Sequence, residues 1–152
     1  MRRKEKEIID IKKINGIIDK AEVFRLAMSL NDTPYIVPLN FGYKDGTIYF
    51  HCAKKGKKID ILKQNNKVCF EFDTDCELVE SEKGCNWSMK FKSVIGSGKV
   101  SFLEDTREKQ KALEIILQHY SVNTFQFEKK QLDNTLIAKI DIDQITGKQS
   151  GY

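Results

Sequence analysis

Gly56-Lys57-Lys58 is the cluster in this chain whose residue types and spacing point most directly to chemistry, and the chemistry is capture of an anion. Ile59 and Leu62 recur behind it at helical spacing, which puts the lysines at a helix start. Free N–H groups there carry partial positive charge, so cations beside them are unfavourable unless an anion joins them. A phosphate would collect backbone donors, the helix dipole and two ammonium groups, with glycine letting the backbone come close. The competing explanation is a solvated surface, because Lys12-Lys13, Lys54-Lys55 and Lys129-Lys130 are pairs of the same kind without evident purpose. Spacing alone leaves both standing. His51 ends the strand before the basic turn, either as a structural histidine at the end of a barrel or as a hydrogen-bond partner of a bound phosphate.

Other reactive side chains give less. With two histidines in all, His51 and His119, and no H-E-x-x-H spacing, a multi-histidine metal site is excluded, and no metal is expected. His119 falls on a helix, where packing or surface exposure accounts for it. Ser29, Ser93 and Ser101 lack the G-x-S-x-G setting of a hydrolase nucleophile. The four cysteines, Cys52, Cys69, Cys76 and Cys85, show no C-x-x-C pair and read as reduced structural thiols; Cys76 and Cys85 could meet across a loop in a redox or metal role. Ser93-Val94-Ile95-Gly96-Ser97-Gly98-Lys99 is not a P-loop, since spacing and following helix are wrong; glycines on a strand admit a bulge or a close ligand. Trp87, Met89 and Phe91 could cover an aromatic ligand or belong to the core. No protein nucleophile or acid–base pair emerges.

The elements that must position these residues are mainly strands. Isoleucines 8, 11, 14, 17 and 18 predict an amphipathic helix from about Glu7 to Asp19. Residues 22–28 and 35–43 read as strands around an Asn31-Asp32 turn, with Pro38 marking an edge, a bulge or a ligand-facing position. Asp45-Gly46 is the pair of a type I′ hairpin, leading into a strand from Thr47 to Cys52. Strand character returns at 68–72, weakens from Asp73 to Lys90, and resumes from Phe91 to Leu103. A helix capped at Asp105 or Thr106 runs to about Tyr120, and Leu136 to Ile142 alternate as a strand. Six or more antiparallel strands with peripheral helices predict a mainly β fold, a closed or split β-barrel.

At 152 residues, without a linker or repeat, the chain reads as one domain over 1–152. Its composition, 40% hydrophobic and 32% charged, is that of a soluble globular protein with no membrane-length apolar run and no signal peptide, so a cytoplasmic location is expected. The charge of +4 is spread among acidic residues without a basic stripe, which argues against nucleic acid as a partner.

Taken together and in order, YIVPLNFGYKDGTIYFHCAKKGKKID, VCFEFD, CNWSMKFKSVIGSGKV and ITGKQSGY resemble the pyridoxamine-phosphate-oxidase-like flavoproteins, in particular the Nim-type nitroimidazole-reductase branch. The resemblance implies an antiparallel FMN-binding split barrel that dimerises and holds FMN between two subunits. It implies Pro38, Leu39, Asn40 and Phe41 beside the flavin ring and His51, Ala53, Lys57 and Lys58 around the phosphate. Ser93, Val94 and Ile95 would lie near the same cleft, with Trp87 and Met89 from the partner. The arginines for a second, substrate phosphate are missing, which argues against vitamin B6 oxidation. The expected activity is an FMN-dependent reductase carrying electrons from NAD(P)H to a small acceptor such as a nitroaromatic compound, with chemistry centred on the flavin and no catalytic side chain required. The alternatives are a non-catalytic flavin-binding or stress-response module, a haem protein using His51 or His119, or a relative that binds a deazaflavin.

Overall fold

The computed structural model describes residues 3–152. After a 3₁₀ turn at Lys4–Lys6, the order is β1 (Glu7–Ile8), α1 (Ile11–Lys20), β2 (Phe24–Leu30), β3 (Thr33–Leu39), β4 (Gly42–Lys44), β5 (Thr47–Cys52), α2 (Lys57–Gln64), β6 (Lys67–Val79), β7 (Ser88–Phe102), α3 (Thr106–Tyr120), α4 (Lys129–Asn134) and β8 (Leu136–Ser150). All strand pairs are antiparallel, in the order β3-β2-β6-β7-β8-β5-β4, with β1 added on β8.

That order forces the sheet to curl. Laid flat, seven strands would hold β3 and β4 roughly 29 Å apart. Yet Asn40 and Phe41 alone separate these strands, and three Cα steps reach at most roughly 11 Å. The two edges therefore come together as a split barrel. Its core is a run of phenylalanines with no solvent exposure, Phe24, Phe41, Phe50, Phe70 and Phe72, closed off at one end by Ile14, Ile17 and Ile18 of α1. A second, smaller cluster joins α3 and α4 to the barrel through Leu103, Ile116, Leu132 and Ile137.

Both two-residue hairpins have the backbone their sequences demand. Asn31 and Asp32 (φ 49° and 59°) and Asp45 and Gly46 (φ 50° and 76°) all lie in the left-handed region required by I′ turns. Pro34 and Pro38 both fall on β3, an edge strand, where a missing ladder donor costs least.

Two expectations are corrected and one element is new. The first helix begins at Ile11, not Glu7, because Asp10 caps it by accepting from the Lys12 N–H at 2.9 Å; Ile8 instead lies on β1, opposite Gly147, where a Cβ would come within 2.9 Å of Ile8. The weakly apolar 73–90 stretch is mostly paired ribbon: β6 runs on to Val79 and β7 starts at Ser88. This ribbon projects past the core, so no buried face marks its alternation, and pairs such as Glu77–Lys90 (3.2 Å) replace apolar contacts. Finally, α4 was not expected, although Glu128 and Gln131 form a capping box and Leu132 is buried.

Gly96 and Gly98 sit at a bulge, between Ser97 and Gly98 against β8, and the space beside Gly96 is taken by the Phe70 ring and by the Gln144 carbonyl, 2.6 Å from where a Cβ would stand. Packing, not a ligand, uses that glycine. Gly96→Ala is therefore expected to cost about 1–3 kcal/mol through overpacking. A thermal melt should fall by roughly 2–4 °C per kcal/mol; an unchanged melting temperature would mean the Phe70 ring moves aside freely.

Candidate functional site

A cleft of about 390 Å³ opens between the β3 edge, the end of β5 and the start of α2. Tyr35, Val37 and Leu39 alternate along β3 toward it, Cys52 and Ala53 close one end, and Lys55 to Ile59 form the other wall. Of the residues expected around a flavin, Pro38, Leu39, Ala53, Lys57 and Lys58 are brought together here.

The start of α2 gathers unpaired donors and cations. Gly56 occupies the N-cap with φ 125°, contributes no capping side chain, and accepts with its carbonyl from Ile59 and Asp60 N–H at 2.8 and 3.1 Å. The N–H groups of Lys57 and Lys58, in the first turn, have no intrahelical acceptor. Lys57 Nζ lies 4.6 Å from the Tyr35 ring centre, and Lys58 Nζ lies 5.7 Å from that of Phe50. Among the described residues no carboxylate is within ion-pair distance of Lys55, Lys57 or Lys58. Burial lowers the pKa of Lys58, since an ammonium losing water without gaining a counter-charge is penalised. The pKa of His51 is lowered too, first by loss of hydration and then by the Lys58 charge, which favours a neutral imidazole. Burial raises the Cys52 thiol, against the pull of Lys58.

The remaining expected residues lie elsewhere. Phe41 is fully buried, its ring 4.9 Å from that of Phe72, which turns the side chain into the core and away from the cleft. Its N–H donates to Tyr120 Oη at 3.0 Å, and that hydroxyl donates to the Glu22 carbonyl at 2.9 Å. Asn40, exposed beside it, completes the crossover. His119 packs on Phe41 at 4.2 Å between ring centres and bonds through Nε2 to the Ala21 carbonyl at 2.6 Å, a packing role that leaves its ring engaged. Ser93 and Val94 are buried on β7, while Ile95 is about half exposed on the outer face. Trp87 and Met89 are exposed at the far ribbon, the indole N–H donating to the Ser81 carbonyl at 2.6 Å. Register puts Pro38, Arg25, Glu71 and Ile95 in one row across β3, β2, β6 and β7, which separates Pro38 from Ile95 by roughly 14 Å.

Sequence reasoning missed Tyr35, Val37, Cys52, Lys55 and Ile59 in the cleft wall. The period-2 alternation from Leu39 back to Tyr35 carried that signal for β3. The four cysteines are free, but Cys69 is exposed on the outer face and does not pack as a core thiol; Cys76 and Cys85 are exposed as well. Among the described residues no group of three or more His, Cys, Asp or Glu side chains is placed to hold a metal ion, and no helix is long and apolar enough to cross a membrane.

Residues 10–149 match the family model described as pyridoxamine 5'-phosphate oxidase. The chain belongs to that family. This pyridoxamine 5'-phosphate oxidase family member superposes with a TM-score of 0.86 on a Bacteroides thetaiotaomicron VPI-5482 protein provisionally described as a 5-nitroimidazole antibiotic resistance protein, 38% identical over 94% of this chain and 86% of the other. The flavocytochrome Anf3 from Azotobacter vinelandii superposes with a TM-score of 0.87 over 100% of this chain and 72% of that one, at 18% identity, a likeness of fold. A curated relative, the uncharacterized protein RA0666 of Rhizobium meliloti (strain 1021), is 28% identical over 92 residues, 60% of this chain, and the match spans 54% of that relative's length.

Tyr120→Phe keeps the ring and removes the hydroxyl that satisfies both Phe41 N–H and Glu22 C=O. Stranding these groups is expected to cost about 1–3 kcal/mol in chemical denaturation. Retention of full stability would show that water replaces the hydroxyl at the crossover.

Proposed function

We propose that this chain is an FMN-dependent reductase, a cytoplasmic homodimer that carries electrons from NADH or NADPH to a small acceptor of the nitroaromatic class. The observation that carries it is Lys58, half-buried and without a carboxylate, beside uncapped N–H groups at the mouth of the β3 cleft. Such a group is stabilised when an anion arrives, and a phosphate ester meets both its charge and its geometry. The acceptor class is suggested by the description of the 38%-identical Bacteroides protein.

Bound FMN would supply the hydride-accepting and electron-donating chemistry that no side chain here provides. Lys57 and Lys58 would hold its phosphate, with Gly56 allowing the backbone to approach. His51, kept neutral in the free protein, would take a proton as the dianion settles beside it. Pro38 and Leu39 lie on an edge strand, whose unpaired backbone groups would orient a planar ring.

A second copy would complete the cleft. Ile95 belongs to the expected site but stands three strands from Pro38, and Ile36 and Ile95 are 59% and 49% exposed on the outer face of the sheet, apolar side chains that a second copy would cover. Sedimentation at micromolar concentration is expected to give a dimer. A monomer that keeps stoichiometric flavin would exclude a shared cleft. The spectrum of protein purified without added cofactor, followed by NAD(P)H reduction and reoxidation by a nitroaromatic acceptor, tests the activity; a Soret band or no turnover would reject it.

Replacing Lys57 and Lys58 with glutamine should weaken FMN by about 1.5–3 kcal/mol for each lost charge-assisted bond, as read by flavin fluorescence quenching. Riboflavin, lacking the phosphate, should bind both proteins alike. Equal FMN affinity in the two proteins would return these lysines to the solvated surface.

The lowered pKa of Lys58 sets a pH dependence with a definite sign. The phosphate favours the ammonium form, so the Lys58 share of FMN affinity is fully present below the free protein's Lys58 pKa and declines as pH rises through it, earlier than for an ordinary lysine. Riboflavin affinity should stay flat over that range, and parallel curves for both ligands would sever Lys58 from the phosphate.

A further inference from the structure

A second cleft lies away from the α2 site. About 450 Å³ in volume, it opens at the end of the barrel covered by α1, between that helix, the shift of β6 register between Thr74 and Glu77, β7 and Tyr152. Its apolar floor is Ile8 and Ile17, and Tyr152 adds an aromatic wall whose ring centre lies 4.7 Å from Lys92 Nζ. Lys13, Lys20 and Lys92 stand at its rim against one carboxylate, Asp75, which pairs with Lys20 and with Lys92 (3.0 Å). Lys13 has no carboxylate partner among the described residues.

Two further observations mark the cleft as a place kept free. Thr74 borders it and the adjoining groove beside Arg25 and Asp73, is 9% exposed, and its hydroxyl, closed off from solvent in the free chain, has no hydrogen-bond partner, a condition shared with the Ser101 hydroxyl. Buried hydroxyls are normally paired, and one left over calls for a partner the chain itself does not provide. Gly16 lies inside α1 on the cleft wall, where a Cβ would meet nothing within 4 Å. Glycine weakens a helix interior, and with open space at hand neither packing nor backbone geometry requires it there. What any larger residue at 16 would remove is room.

We propose that this cleft binds a small aromatic anion, its ring against Ile17 and Tyr152 and its phosphate or carboxylate among Lys13, Lys92 and the Thr74 hydroxyl. Asp75 competes for the same cations, so it tunes affinity downward. The site is independent of the α2 cleft and of any flavin.

The probes are 2-naphthyl phosphate, 2-naphthoate and uncharged 2-naphthol, titrated by their own fluorescence against the full chain. Saturable binding of at least one anionic probe, roughly tenfold or more tighter than 2-naphthol, is expected from charge-assisted bonds; which anion wins identifies the headgroup. Thr74→Val deletes an unpaired hydroxyl at constant shape, so its melting temperature should not fall while probe affinity drops severalfold. Gly16→Trp should fill the cleft and abolish binding while leaving the helix intact by circular dichroism. Asp75→Asn, tolerated at its φ of 56°, should tighten anion binding. Binding that survives both Thr74→Val and Gly16→Trp, or that disappears in the Lys57→Gln/Lys58→Gln protein, would overturn the proposal, as would the absence of saturable binding by either anion.

Discussion

The crossover of two residues between β3 and β4 is the constraint on which the rest of the molecule depends. Because Asn40 and Phe41 must join opposite edges of the sheet, the sheet closes, and its closure brings the β3 edge alongside the end of β5 and the start of α2. Phe41 fixes the crossover from inside, its ring 5.6 Å from Phe24 and 4.9 Å from Phe72. Burying one such ring is worth about 1.5–3 kcal/mol. Tyr120 fixes it from outside by satisfying the amide that the turn exposes. The α2 cleft is thus a by-product of barrel closure: it forms where two edges meet without pairing.

Within one chain, cations are treated in two opposite ways. Arg25 is tied to Glu71 at 3.0 Å and to Asp73, so its charge is spent internally. Lys58 is half-buried and faces aromatic carbon and a thiol instead. The pairs Lys12-Lys13, Lys54-Lys55 and Lys129-Lys130 are exposed and keep their water, which makes them poor precedents for it. The electrostatic problem visible in the spacing of Gly56-Lys57-Lys58 is therefore sharpened by the fold, because desolvation is added to the unfavourable helix dipole.

Much of this was legible in the residues alone. Turn chemistry placed the I′ hairpin at Asp45-Gly46 and a turn at Asn31-Asp32, Pro38 marked an edge, a bulge or a ligand-facing position, and glycine before two lysines marked the α2 start, since each reflects a local backbone rule that tertiary structure has no reason to override. What stayed hidden had a common cause. Burial of Phe41 depends on which side of a sharp crossover it falls, and the distance of Ile95 from Pro38 depends on strand order, neither of which alternation encodes. The long ribbon was hidden because its two faces are both wet, and α1 was placed too early because isoleucine serves strand and helix alike.

The last strand in sequence is also the most connected one. β8 pairs with β7, β5 and β1, bridging segments separated by more than a hundred residues. During synthesis on the ribosome the hairpins β2–β3, β4–β5 and β6–β7 can form as they emerge, yet none can be sealed into a barrel until β8 is free of the exit tunnel. Non-local pairing of this kind slows folding and leaves strand edges open in the meantime. The nascent chain must therefore pass through a stage with unpaired β5 and β7 edges, and the prolines on β3 protect a different edge. A cell making this protein faces its greatest risk of misassembly in the interval before β8 arrives to pair with β5 and β7.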